Sequence, residues 1–175
     1  PTRRSSDLIW RDNPMQIVEK YAAWANDYQE NQITIIYDTM WNGTKTVAEK
    51  IAEGIGLADP DVVVKVFNLA KSDENDLITE VFKSKMVAIG SPTMGSSILH
   101  SVAGFIHLMK ELKFKGKRAA AFGCYGWSGE SVKILNEWLA DAGFSVVSEG
   151  LRNQWNPDDT AKQVAVDFGK TLAGL

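Results

Sequence analysis

The chain has 175 residues, a length that fits one domain with a sizeable core, and its formal charge of −3 gives no basic footprint for nucleic acid. Hydrophobic residues at 45% and charged residues at 23% are globular proportions, which exclude a disordered or fibrous chain. No apolar run approaches the ~18 residues of a membrane span, and one cysteine excludes an internal disulfide or a cysteine cage for a metal, so a soluble, cytoplasmic protein is expected.

Residues 1–8, PTRRSSDL, are polar, carry adjacent arginines and have no periodicity of either kind. They resemble the translation of a common short-read sequencing adapter and read as a non-native scar, a disordered terminus being the alternative. Asn13-Pro14 then offers an N-cap with proline at the first helical position, ahead of an apolar stripe of Ile17, Val18, Tyr21, Trp24, Ala25 and Tyr28. A minimal five-strand nucleotide-binding fold has no such helix. Residues 9–31 therefore read as a connector from an upstream domain, with a packing addition as the other possibility.

Residues 33–55, ITIIYDTMWNGTKTVAEKIAEGI, change period within a few positions. Ile33, Ile35, Ile36 and Tyr37 form a β-branched and aromatic run, whereas Val47, Ala48, Ile51, Ala52 and Ile55 fall at helical spacing. Between them Thr39, Met40, Trp41, Asn42, Gly43 and Thr44 make a hydroxyl- and amide-rich turn that opens into a helix. Free N–H groups and the positive end of the helix dipole would converge there on an anion, with Gly43 allowing close approach and the threonines adding donors. A nucleoside-triphosphate loop needs GxxxxGK[ST], and here Thr44 follows Gly43 and no glycine stands in the four residues before Asn42. A dinucleotide fingerprint is equally missing, because Gly54 and Gly56 lie at the far end of the helix and read as a C-cap. What remains suits flavin mononucleotide (FMN), whose single phosphate neutral donors can hold. The competing reading is an ordinary turn with Thr39 or Asn42 as N-cap.

The alternation continues. Strands are expected over 61–68, 86–90 and 118–122, with a fifth starting at 144–147, and helices over 73–83, 97–112, 128–142 (stopped by Gly143) and from Asn156-Pro157 towards Leu172. Five βα units predict an α/β three-layer sandwich over residues 32–175, with a parallel sheet in the order 2-1-3-4-5 and right-handed crossovers. The ligand crevice of such a sheet lies beyond the carboxyl ends of its strands, at the reversal of strand order. The loops expected there are Ser91, Pro92, Thr93, Met94, Gly95 and Ser96 after strand three, and Gly123, Cys124, Tyr125, Gly126, Trp127, Ser128 and Gly129 after strand four. Met94, Tyr125 and Trp127 could wall a planar ring, and the glycines permit backbone approach to its edge. Trp127 could instead be a core staple, Tyr125 a half-buried loop aromatic and Cys124 a small buried hydrophobe, not a redox thiol.

The segments YDTMWNGT, GSPTM, SVAGF, FGCYGWSG and IWRDNPMQIVEKYAAWA together resemble the flavodoxin-like domain of flavodiiron proteins, including the flavorubredoxin branch. The tryptophan in the first loop and YGWSG distinguish this resemblance from a generic flavodoxin. It implies that the loop at Thr39–Thr44 holds the FMN phosphate, that Ser91–Ser96 meets the ring, and that the segment from Gly123 borders its other side. It also implies electron relay from a rubredoxin or flavin reductase to a diiron centre that reduces nitric oxide or oxygen, in a head-to-tail homodimer. Departures are equally informative. Family members carry a metal-ligating histidine in an SHG motif where Ser5, Ser6 and Asp7 stand, and paired asparagines and a proline where Gly95, Ser96 and His100 stand. His100 then either tunes the flavin or merely opens a helix at the surface, and His107 reads as structural. With no metal ligands and no upstream diiron domain, the chain is expected to bind flavin without consuming nitric oxide by itself. The alternatives are a stand-alone flavodoxin, an FMN-dependent quinone reductase and, more remotely, a cofactor-free receiver.

Overall fold

In the computed structural model, which describes residues 13–175, strands and helices alternate to build one parallel sheet covered on both faces. The scar assigned to residues 1–8, positions 5–7 of the missing motif and the first residues of the connector lie outside the described part. Strand β1 (Glu30–Tyr37) is central. Ile33, Ile35 and Ile36 leave neither of its faces to water, and all three are buried. It pairs in parallel with β2 (Val63–Asn68) on one side and β3 (Ser84–Gly90) on the other, and β4 (Arg118–Tyr125) follows β3. The order is the expected 2-1-3-4-5.

The fifth position departs from expectation. The single strand expected to start at 144–147 is split into β5 (Ser145–Val146), beside Arg118 and Ala119, and β6 (Leu151–Gln154), beside the stretch from Phe122 to Tyr125. Ala120 and Ala121 thus face the four residues 147–150, which bulge out of register. Asn136 Nδ2 holds the bulge through the Ser148 and Glu149 carbonyls, and Gly150 turns it back at φ +88°, where a side chain would strike Val132 and the Ala121 carbonyl.

Two apolar cores sandwich the sheet. Helices α2 (Gly43–Ala58) and α6 (Asp159–Ala173) cover one face, where Ile51, Ile55 and Leu172 meet Ile33, Ile35 and Met86. Helices α3 (Glu74–Lys83), α4 (His100–Leu112) and α5 (Ser131–Asp141) cover the other, where Leu77, Phe105 and Leu135 meet Ile36, Val87 and Ile89. Gly54 and Gly56 do not cap α2, which runs on to Ala58. Gly54 instead admits α6, since a Cβ there would lie 1.9 Å from the Val166 carbonyl oxygen. This backbone-to-backbone contact holds α2, and with it the turn that starts it.

Helix α1 (Met15–Ala25) has Pro14, not Asn13, at its N-cap position, and its expected apolar stripe stays open. Met15, Val18, Tyr21 and Trp24 are exposed. Trp24 of α1 meets Phe82 of α3 edge-on at 6.3 Å, and Tyr28, just beyond the helix, stacks on the same ring at 5.7 Å between ring centroids. Beneath it the amino ends of the strands are closed by polar groups. Lys117, only 3% exposed, donates from Nζ to the carbonyls of Tyr28 (3.0 Å), Phe82 (2.7 Å) and Ser84 (2.9 Å). Gln32 Nε2 donates to Glu80 Oε2 (2.8 Å), Thr34 (3.1 Å) and Ser84 (3.1 Å).

Candidate functional site

The carboxyl ends of β1, β3, β4 and β6 surround a cavity of about 870 Å³, within the ~300–1,000 Å³ usual for cofactor clefts. After β1 the Asp38 amide still bonds the Gly90 carbonyl (3.1 Å), so the loop leaves the sheet at Thr39. The Asp38 carboxylate accepts from the Thr39 amide (2.7 Å) and from the Ser101 hydroxyl (2.5 Å), tying this loop to α4. Asn42 then adopts the left-handed conformation, φ +63°, which asparagine tolerates better than most residues, and its side chain makes no cap bond. Neither Thr39 nor Asn42 therefore closes the start of α2 as an N-cap. The Thr44 hydroxyl is buried at that uncapped start, its residue 1% exposed, and has no hydrogen-bond partner. Thr39, Met40, Trp41, Gly43 and Thr44 line the cavity, and Asn42 does not.

After β3, Ser91 is structural. It is buried, its Oγ accepts from the Leu99 amide (3.0 Å) and donates to the Pro92 carbonyl (2.9 Å), and it lies off the cavity wall. Pro92, Thr93, Met94, Gly95 and Ser96 do line it. Met94 and Ser97 exchange two backbone hydrogen bonds (3.0 Å each) around Gly95 (φ +56°) and Ser96 (φ +59°), a two-residue turn with both central residues left-handed. That turn delays α4 to His100, where the apolar pattern alone begins it at 97. The Thr93 hydroxyl anchors the loop to α5, donating to Ser131 Oγ (3.0 Å) and accepting from the Ser131 amide (3.2 Å).

Strand β4 runs three residues further than expected, so Gly123, Cys124 and Tyr125 belong to the strand and the loop begins at Gly126. The pairing partner that extends it is β6. Gly123 serves packing, since a Cβ there would lie 2.1 Å from the Ser91 carbonyl oxygen, and Gly129 (φ +75°) lies under the Tyr125 ring. Neither lines the cavity, whereas Cys124, Tyr125, Gly126, Trp127 and Ser128 do. Trp127 is 89% exposed and is no core staple, and Tyr125 is half-buried. Burial pushes the Cys124 thiol up, offset in part by Asn153 and Thr44 beside it. The Cys124 sulfur, a weak acceptor, is beside the Thr44 hydroxyl, which meets no oxygen or nitrogen partner. Cys124 is thus a buried small side chain with low thiolate character.

Two wall residues escape sequence reasoning, Trp155 and Asn156, both after β6. Asn156-Pro157 looks like a cap followed by proline, but Asp158 is the actual N-cap of α6, accepting from the Ala161 amide (2.8 Å). The rule that ligands sit beyond the carboxyl ends of strands applied equally to this fourth loop. His100 and His107 are exposed on α4, off the cavity. Among the described residues no lysine or arginine lines the cavity, and no three His, Cys, Asp or Glu side chains gather as metal ligands. Among the same residues no helix is long and apolar enough to cross a membrane.

A doubly wound α/β domain with its crevice at the reversal of strand order is the class that fold and cavity define. Comparison with known proteins narrows it. The chain matches the flavodoxin family over residues 35–169, and it belongs to that family. FMN is the family's cofactor. Among curated proteins the chain is 49% identical over 97% of its length to the anaerobic nitric oxide reductase flavorubredoxin of Klebsiella pneumoniae, and 48% identical to that of Escherichia coli. It spans 35% of the length of these relatives. Among solved structures it is similar to rubredoxin oxygen:oxidoreductase of Desulfovibrio gigas, at 31% identity and a TM-score of 0.85, covering 91% of this chain and 39% of that one. A flavodoxin from the domain Archaea is 28% identical with a TM-score of 0.73, covering 82% of this chain and 96% of its own.

Proposed function

We propose that the cavity binds FMN and that the chain is the electron-transfer unit of a flavorubredoxin-type protein. The observation that carries this reading is the uncapped start of α2, where Thr44 lines an aromatic-walled cavity and its hydroxyl is buried without a hydrogen-bond partner. An uncapped helix start offers free N–H groups and the positive dipole end, and a buried hydroxyl left unbonded costs about 1–3 kcal/mol unless a ligand meets it. These groups, with Thr39, fit a phosphate without a lysine. Trp41, Met94, Tyr125 and Trp127 fit a planar ring, and Pro92, Thr93, Gly95 and Ser96 bring backbone groups to its edge. FMN, when bound, supplies reversible one- and two-electron chemistry. The chain's part is to hold its phosphate, orient the ring and exclude water from its faces, and no acid, base or nucleophile is required of it.

The names of the relatives, a nitric oxide reductase flavorubredoxin and a rubredoxin oxygen:oxidoreductase, support a larger context in which nitric oxide or oxygen is the gas reduced; in our reading a rubredoxin or flavin reductase is the donor and a diiron domain the acceptor. In that context residues 9–31, which include α1, connect to the upstream domain, and the assembly is a head-to-tail homodimer in the cytoplasm. The near full-length match to an archaeal flavodoxin favours a second reading, a free-standing electron carrier. Titration of the purified chain with FMN and with riboflavin, followed by flavin fluorescence and visible absorption, tests the site. FMN should bind one to one and roughly 100-fold more tightly than riboflavin, which lacks the phosphate, and Thr44→Asp should remove that preference. Equal affinity for the two flavins, or none for either, contradicts the proposal.

A further inference from the structure

The fourth loop holds an arrangement that neither the family match nor the three expected loops account for. Trp155 is left-handed, φ +59°, a conformation that bulky residues avoid, yet the residue is 58% exposed. Packing into a core does not explain the strain. Hydrogen bonds do hold it. The Trp155 amide donates to the Tyr125 carbonyl (2.7 Å), and the buried Asn153 side chain donates from Nδ2 to the Trp155 carbonyl (2.7 Å). Gln154 Nε2 adds a bond to the Gly126 carbonyl (3.2 Å), so the residues after β6 are sewn to those after β4. Gly126 completes the fit, because a Cβ there would lie 3.0 Å from the Trp155 ring.

What this positioned ring touches is Trp127, edge to face, with centroids 5.4 Å apart and planes at 74°. Trp127 is the most exposed of the cavity's large side chains and stands on the segment between Gly126 and Gly129. Without a neighbour such an indole samples several rotamers, and a wall that must order itself on binding weakens the complex.

We propose that Trp155 is a positioning residue that braces Trp127 as a preset wall of the cavity, and that the Asn153 clamp and Gly126 exist to hold that brace. The proposal rests on the reading of the cavity as the FMN site and deepens it: ring affinity and redox balance are set partly from the fourth loop. A brace that fixes one ring wall acts on the oxidised and reduced ligand unequally, since the two differ in charge and shape. Its removal therefore shifts the midpoint potentials as well as the dissociation constant.

The test uses the full chain with Trp155→Gly, which removes the ring while accepting the positive φ, and Trp155→Phe, which restores an aromatic edge. In the ligand-free state the paired indoles should give an exciton couplet in far-ultraviolet circular dichroism, lost in both variants because one indole is gone. With FMN, Trp155→Gly should bind roughly 3- to 10-fold more weakly and shift at least one midpoint potential, and Trp155→Phe should recover most of both. A purely structural role would lower the melting temperature of the ligand-free chain and leave the potentials unmoved. If the wild-type chain binds FMN and Trp155→Gly matches it within twofold with unchanged potentials, the brace is refuted while the site stands. If the wild-type chain binds no FMN, the reading of the site and the brace fall together. If Trp155→Gly does not fold, Asn153→Ala serves, and a wild-type couplet, affinity and potentials in that variant refute the clamp.

Discussion

The two ends of the sheet treat their polar groups in opposite ways. At the amino end Lys117 is buried with three carbonyl partners and Gln32 with several, so both buried side-chain donors find acceptors within the chain. At the carboxyl end α2 starts uncapped, Thr44 is buried without a partner, and Asn42, Ser96 and Trp155 all sit at positive φ. Charge differs too. The only buried lysine side chain among the described residues is at the amino end, and none lines the cavity. Positive φ alone does not mark the binding end, since Asp27 and Lys113 adopt it at the amino end, and the Asn68 and Asn136 amide oxygens go unmet away from the cavity. What is particular to the binding end is a buried, unmet hydroxyl at an uncapped helix start on the cavity wall.

Breaking the amino end should change stability and not binding. Lys117→Ala leaves the Tyr28, Phe82 and Ser84 carbonyls without the ammonium and opens a void, and should cost about 3 kcal/mol in urea unfolding. Its FMN dissociation constant should stay within about twofold of wild type. A binding loss as large as the stability loss would erase the distinction between the ends.

Titration sharpens the same point. Burial pulls Lys117 down from 10.5 to about 8, with Asp27 pulling weakly the other way. Between those values the unfolded lysine holds a proton that the folded one has released, so unfolding free energy should rise with pH across the window. Its contribution is absent below about 8 and complete above 10.5, worth at most about 3 kcal/mol. Urea midpoints at several pH values should show a steeper rise for wild type than for Lys117→Met, which has nothing to titrate there. Parallel curves would mean that the ammonium is not desolvated as the geometry implies.

At the carboxyl end the effects should appear on binding. Trp41 is 83% exposed on the cavity wall, so Trp41→Ala should leave the melting temperature alone. It should weaken FMN roughly fivefold, about 1 kcal/mol, in a fluorescence titration. A drop in melting temperature with unchanged affinity would make Trp41 a packing residue.

Much of the carboxyl end could be read before any coordinates, and nothing of the amino end. The switch from β-branched run to helical spacing around Thr39–Thr44, repeated down the chain, dictated the alternation, the strand order and three of the four loops at the cavity. What could not be read depends on partners distant in sequence. Strand β4 is lengthened by β6, the fifth strand is split by the Asn136 clamp, and Gly54 is claimed by α6, none of which leaves a local pattern. Gly123, Gly129 and Ser91 look like ligand contacts because small and hydroxyl residues serve close packing and close approach alike. Trp155 and Asn156 were hidden behind a cap-and-proline signal that Asp158 fulfils instead.

The most direct measurement concerns one hydroxyl. Thr44→Val keeps the shape of the side chain and deletes the buried oxygen that has no partner. If that oxygen is reserved for a phosphate, the ligand-free variant should be more stable than wild type by about 1 kcal/mol. It should also bind FMN several-fold more weakly, with no loss of affinity for riboflavin. A variant that is less stable without ligand and binds FMN as tightly as wild type would contradict the account.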